Sequence, residues 1–156
     1  MDKLLLQRQV LERLAEDLLQ AEQGARTAHE TATHEENIAE NKYDTLGLEA
    51  AYLALGQARR VEQIAAALHA WQQLPPVELA PDAAIRLGAL VLLEEAGGRR
   101  QQVLLGPDAA GLRLAHADGE ITLVTAQAPL GRQLLGLECG EQLQVGAHHW
   151  TILRVS

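Results

Sequence analysis

Stepping from Leu4 alternately by three and four residues, the chain meets Gln7, Leu11, Leu14, Leu18, Ala21, Ala25, Ala28 and Ala32. Eight of these nine positions are apolar. A period of 3.5 residues is that of a helix packed along another helix. The large residues give way to alanine toward the far end, which predicts helices approaching more closely there. After a polar stretch the spacing resumes at Leu46, Ala50 and Leu53, and later at Ile64, Ala67, Trp71 and Leu74. Gln57 and Arg60 interrupt this second seam, and a neighbouring stripe through Leu48, Tyr52, Leu55 and Leu68 shares its side. Two such helices joined by a short link form an antiparallel αα-hairpin, in which residues whose numbers sum to about 80 face each other. A first helix of about 33 residues is on the order of 50 Å long, the dimensions of a stalk. The competing arrangement pairs the seam with a second copy of the chain.

The pattern changes at Pro75-Pro76. Upstream there is no proline and glycine occurs only at Gly24, Gly47 and Gly56; ten of the thirteen glycines lie downstream. Paired prolines end a helix and force the preceding residue toward extended conformations. The domain expectation is therefore a coiled-coil stalk over 1–74 and a globular domain over 77–156. In the second half, Ile85 to Leu93 and Gln101 to Leu105 read as strands either side of Gly97-Gly98. Leu112 to Ala115 and Glu120 to Thr125 flank an Asp118-Gly119 turn, and Gln142 to Val145 and Trp150 to Val155 form a last hairpin across Gly146-Ala147. Pro129 to Leu135 reads as one or two helical turns, with proline at the first position and Gly136 just past the end. The fold class expected is α+β: the helical hairpin, then a small antiparallel sheet carrying one short helix.

The hairpin turn is placed within 30–44. It carries Glu30, Glu35, Glu36, Glu40 and Asp44 against Lys42 alone, in a chain whose formal net charge is −8. Crowded carboxylates repel one another unless a cation or basic partner meets them. Solvated hairpin ends are also commonly acidic, and Glu40 with Asp44 suits a helix N-terminus. Carboxylates are the ligand type Mg²⁺ prefers, although on a turn they would share the ion with a second macromolecule. The negative balance argues against a mainly electrostatic hold on nucleic acid. Phe is absent and Tyr43, Tyr52, Trp71 and Trp150 are the four aromatics, which leaves little surface for stacking on bases. One cysteine, Cys139, excludes an internal disulfide. No apolar run approaches the roughly 20 residues of a membrane span, and Leu4-Leu5-Leu6 is too short for a signal-peptide core, so an intracellular, cytoplasmic protein is expected.

These features together resemble the Gre family of bacterial transcription factors. The family's globular domain carries a Ser-Pro-x-(Ala/Gly)-x-x-Leu-x-Gly signature. Ala128-Pro129-Leu130-Gly131-Arg132-Gln133-Leu134-Leu135-Gly136 matches it at Pro129, Gly131, Leu134 and Gly136, with Ala128 in place of the serine. The resemblance covers essentially the whole chain. It implies a coiled-coil finger on an FKBP-like domain, and bacterial RNA polymerase as partner. The globular domain would sit at the rim of the secondary channel, with Pro129, Gly131, Leu134 and Gly136 shaping that surface. The finger would reach toward the active centre, where backtracked RNA lies. The family's tip reads Asp-Leu-x-Glu-Asn-Ala-Glu-Tyr, and its Asp and Glu help hold the second catalytic Mg²⁺, which activates water for RNA cleavage.

Here the tip reads Asn37-Ile38-Ala39-Glu40-Asn41-Lys42-Tyr43. Glu40-Asn41 matches, Tyr43 falls one residue early, and neutral Asn37 stands at the family's Asp. Glu36 replaces that carboxylate if the turn shifts by one residue. The tip candidates are Glu40, Glu36 and Asp44, with Glu35 in support. No cofactor of its own is implied beyond Mg²⁺ shared with polymerase, and no catalysis by the protein alone. The expected state is a monomer with no membrane contact. Two alternatives stand beside the cleavage-stimulating or modulating reading: a Gre-like inhibitor that occupies the channel without cleaving, and a coiled-coil adaptor that dimerises.

The remaining reactive residues read as structural. His148-His149 on a strand point to opposite faces and do not converge on one ion. His29 and His34 are read as solvated, and Cys139 as a partly buried thiol in a turn. Arg59-Arg60 and Arg99-Arg100 are pairs and not a patch. The glycines of 106–111 lack phosphate-loop spacing. A peptidyl-prolyl isomerase would need an aromatic-lined pocket, and the second half holds Trp150 alone.

Overall fold

The computed structural model describes residues 2–38 and 45–156, with side chains over 2–34 and 47–156. Two helices open the chain, α1 (Lys3–Ile38) and α2 (Thr45–Gln73). The Asp2 carboxylate accepts from the Leu4 and Leu5 N–H groups at 3.0 and 3.2 Å, capping α1. α2 stops two residues before Pro75, as the double proline requires. The helix over 30–38 replaces much of the turn expected there: Ala32 is buried, Thr31 Oγ1 donates to Thr27 O at 3.0 Å, and only 39–44 remain between the helices.

The chain divides into two compact units, Glu12–His69 and Met1–Leu11 with Ala70–Ser156. In the first, α1 and α2 form a helical hairpin. A Cβ at Gly24 would lie 3.5 Å from Gln57 Oε1 and Gln7 Nε2 donates to Trp71 O at 3.2 Å, so the pairing is antiparallel and close to the expected sum. From Gln7 onward the α1 seam is buried or half-buried at every expected position, and only Leu4, 55 % exposed, leaves it. The α2 seam differs from expectation. It runs through Gly47, Ala50, Ala54, Gln57, Val61, Ile64, Leu68 and Trp71, an unbroken three-four alternation whose members are all buried or half-buried. Leu53 (59 %), Leu48 (56 %), Tyr52 (67 %) and Leu55 lie exposed instead. The reason is steric. Facing the alanines of α1, small residues of α2, Gly47, Ala50 and Ala54, take the contact, and the bulkier leucines turn outward.

The second unit is built on a six-stranded sheet of order β3-β4-β2-β1-β6-β5, with β1 (Leu90–Glu95), β2 (Arg100–Gly106), β3 (Arg113–His116), β4 (Gly119–Thr125), β5 (Gln142–Val145) and β6 (His148–Val155). Four pairings are antiparallel, while β2 and β4 run parallel, in register from Gln102↔Ile121 to Gly106↔Thr125. The expected strand over 85–93 is confined to its end. Ala89 N–H bonds to Arg86 O and Gly88 takes φ +92°, so the chain bends before entering β1. Gly146 at φ +60° opens the last hairpin at the position a type II′ turn gives to glycine.

One sheet face carries the core: Val91, Leu93, Val103, Leu105, Val124 and Ile152, closed by Leu134 of the short helix α3 (Pro129–Leu134). On the other face Trp71 fills the space above Gly106, where a Cβ would come within 2.2 Å of the indole, and its Nε1 donates to Asp108 O at 2.9 Å. Lys3 and Leu6 share a small recess there with Gly88 and Leu104.

Candidate functional site

The signature residues of α3 have separate duties. Pro129 begins the helix, where its missing N–H goes unmissed. Gly131 is buried against the end of β4: a Cβ would stand 1.9 Å from the Thr125 carbonyl oxygen, so no other residue fits this approach. Leu134 is fully buried among Leu105, Val124 and their neighbours. Gly136 adopts φ +85°, which lets its N–H reach Ile85 O at 2.9 Å while Leu137 O accepts from Ile85 N–H at 2.8 Å. The outward surface of this segment consists of Pro129, Arg132, Gln133 and Leu135. A partner meeting α3 meets those four side chains, while Gly131 and Leu134 set the shape behind them.

The acidic candidates fall at the other unit's end. Glu35 and Glu36 belong to the last turn of α1; their side chains, and Glu40 and Asp44 entirely, lie outside the described residues, as do the backbone positions of Asn41 and Lys42. Among the described residues no group of three His, Cys, Asp or Glu could hold a metal ion. In sequence, Glu30, Glu35, Glu36, Glu40 and Asp44 offer carboxylate oxygens, the donor type that hard divalent cations take.

Elsewhere, His148 opens β6 in contact with Glu95 through Nδ1 and stacks on Trp150 at 6.1 Å between ring centroids. His149 follows it on the strand and so faces the opposite side. Cys139 is exposed, correcting the partly buried position expected, and its thiol donates to Leu153 O at 3.1 Å. Lys3 is the polar group the sequence conceals. It is 5 % exposed, and its ammonium donates to the carbonyls of Gly88 and Ser156, the latter at 2.7 Å. Burial lowers its pKa from 10.5 to about 8, with the Glu78 carboxylate pulling the other way. Nothing in the pattern around Met1-Asp2-Lys3 signals this role, because both carbonyls belong to distant parts of the chain.

No family model matches the chain, and no curated protein matches it. Solved structures do. They are Gre-type transcription factors. Gfh1, the GreA factor homolog 1 of Thermus thermophilus, shares 19 % identity over 94 % of both chains, with a TM-score of 0.38. Gfh1 of Thermus aquaticus shares 22 % over 92 % of both, with the same score. A prokaryotic transcription elongation factor GreA/GreB from Nitrosomonas europaea shares 16 %, covering 64 % of this chain and 91 % of its own, with a TM-score of 0.37. At such distances it is the residues, and not the superpositions, that speak to a role. No helix among the described residues is long and apolar enough to cross a membrane.

Proposed function

We propose that this protein is a Gre-like transcription factor that binds bacterial RNA polymerase at its secondary channel and turns an acidic tip toward the catalytic Mg²⁺. In this reading 1–74 form the stalk and 77–156 the docking domain, the protein acts as a monomer, and it is an accessory factor with no active site of its own. One observation carries the reading: an intramolecular helical hairpin with Glu35 and Glu36 in the last turn of α1 and Glu40 and Asp44 in its link is joined to a sheet unit bearing the Pro129-to-Gly136 signature. The ion, when bound by polymerase, supplies an activated water for hydrolysis of backtracked RNA. The tip carboxylates contribute charge and oxygen ligands at that ion, with Glu40 at the matching position and Glu36 replacing the missing Asp. The α3 segment contributes position: Gly131 and Leu134 hold the helix on the sheet, and its outer side chains meet the channel rim.

A second reading has its own observation. Neutral Asn37 stands where the family keeps a carboxylate, and Lys42 adds a positive charge beside it. Both weaken a hold on a divalent cation and favour a factor that fills the channel without promoting cleavage. Transcript cleavage by a stalled bacterial polymerase, with and without the protein, separates the two. The first reading expects stimulated cleavage that Glu40→Ala removes and Glu62→Ala, on the exposed side of α2, leaves intact. Polymerase binding without cleavage selects the second, and an absence of binding removes both.

A further inference from the structure

On the sheet face opposite the main core, the strand register sets Ile121, Gln102, Leu92 and Arg154 in one row across β4, β2, β1 and β6. Neighbouring strands are about 4.8 Å apart, so Gln102 and Arg154 stand either side of Leu92 at roughly 10 Å. In the next row on the same face Arg100 Nε pairs with Glu94 at 2.9 Å. Of these, Leu92, Gln102, Arg100 and Arg154 line an open concavity with the Asp118-Gly119 turn at its rim. Arg99, Arg100, Arg113 and Arg154, four of the thirteen basic residues in a chain of net charge −8, line this one place, against the two carboxylates of Asp118 and Glu120, the latter paired with Arg113 at 3.6 Å. Arg99-Arg100, which read as a simple pair in the sequence, are thus joined by Arg154, which only the register brings near.

The second observation is Gln102. It is 7 % exposed, and its side-chain Oε1 has no hydrogen-bond partner among the described residues. Its Nε2 makes one long contact, 3.5 Å to Asp118 O. An unpaired buried amide oxygen is costly, and native structures rarely keep one without a use. A donor reaches this enclosed oxygen only when the side chain turns away from Asp118 O, at the cost of that long contact. Arg154 makes no ion pair with any described carboxylate.

The site therefore asks for a ligand with an anionic group, a hydrogen-bond donor and an aliphatic portion. No aromatic ring lines it, so a nucleobase has nothing to stack on. We propose that this concavity docks an acidic, extended peptide segment of a partner protein. A side-chain carboxylate of the segment lies on Arg154, a main-chain N–H donates to Gln102 Oε1, and aliphatic carbon covers Leu92. The proposal stands apart from the transcription reading, since it concerns the free protein and a peptide.

The test is a titration of the full ¹⁵N-labelled chain with the peptide acetyl-Glu-Leu-Glu-Leu-Glu-amide, followed by amide NMR. Saturable shifts are expected at Leu92, Gln102, including its side-chain amide, and Arg154, weakening with added salt. Arg154→Glu should weaken binding by about tenfold or more, the effect of losing one charge-assisted contact, while Arg59→Glu on α2 leaves it unchanged. Gln102→Leu removes the unpaired oxygen, so it should raise the unfolding temperature while lowering peptide affinity, a combination a purely structural glutamine would not give. Absence of shifts at these residues overturns the proposal. So does tighter binding of an oligouridylate at the same residues, or peptide affinity that survives both Arg154→Glu and Gln102→Leu in folded protein.

Discussion

At Gly131 a single hydrogen atom in place of a methyl group holds a helix in position. The distance a Cβ would have to the Thr125 carbonyl oxygen, 1.9 Å, involves backbone on both sides, so no rotamer change relieves it. On an ordinary helix, glycine to alanine stabilises by up to about 1 kcal/mol. Here Gly131→Ala is expected to destabilise by about 3 kcal/mol through overpacking, measured by urea unfolding, and the sign alone discriminates. Lys3 offers a test by pH. Its folded pKa, about 8, lies below the ordinary 10.5, so between these values the unfolded chain binds the extra proton. Stability should therefore rise as pH climbs from about 8 to about 10.5, and be indifferent to this group below that window. Thermal unfolding across the window should show the rise in the natural protein and lose it in Lys3→Met.

Among the elements, the α2 seam separates two registers that the sequence leaves competing. Leucines at 46 and 53 invite a seam through them, yet Leu53 is exposed and Gln57 occupies the contact. Ile64→Ala should cost about 2–4 kcal/mol, as for a buried aliphatic side chain, and Leu53→Ala less than about 0.5 kcal/mol, both read by denaturant unfolding. Equal losses would restore the leucine register. The hairpin itself was legible, because heptad spacing and the double proline act locally. So were the edges of β2, β4, β5 and α3, marked by glycine, proline and apolar runs. The parallel β2–β4 pairing was not, since no local signal records which distant strands meet. For the same reason Gln102, Leu92 and Arg154 give no hint of proximity in sequence: they lie on three strands. Ile85 misled because it is apolar and buried, but its N–H and C=O bond the loop after α3 and not a neighbouring strand. Of the candidate site, Pro129 and the glycines could be read from turn and helix-end geometry, whereas the acidic tip could be read only as composition.

For the whole molecule, the seam of α1 finds its partner within the same chain, and the apolar residues left exposed on α2, Leu48, Tyr52, Leu53 and Leu55, cover only about two turns of it. Sedimentation equilibrium should accordingly return the monomer mass of 16.9 kDa across the micromolar range. A concentration-dependent dimer that Tyr52→Lys dissociates would reinstate the adaptor. The sheet order has a consequence for synthesis. β1 sits between β2 and β6, so one of its two edges stays open until a strand more than about 50 residues downstream has left the ribosome. Lys3 waits longer still for Ser156, roughly 8–30 s at usual translation rates. Until Trp71, Leu74 and Leu104 follow, Leu6 has nothing to cover it, which makes the nascent chain a client for whatever factor shields apolar helices at the tunnel exit.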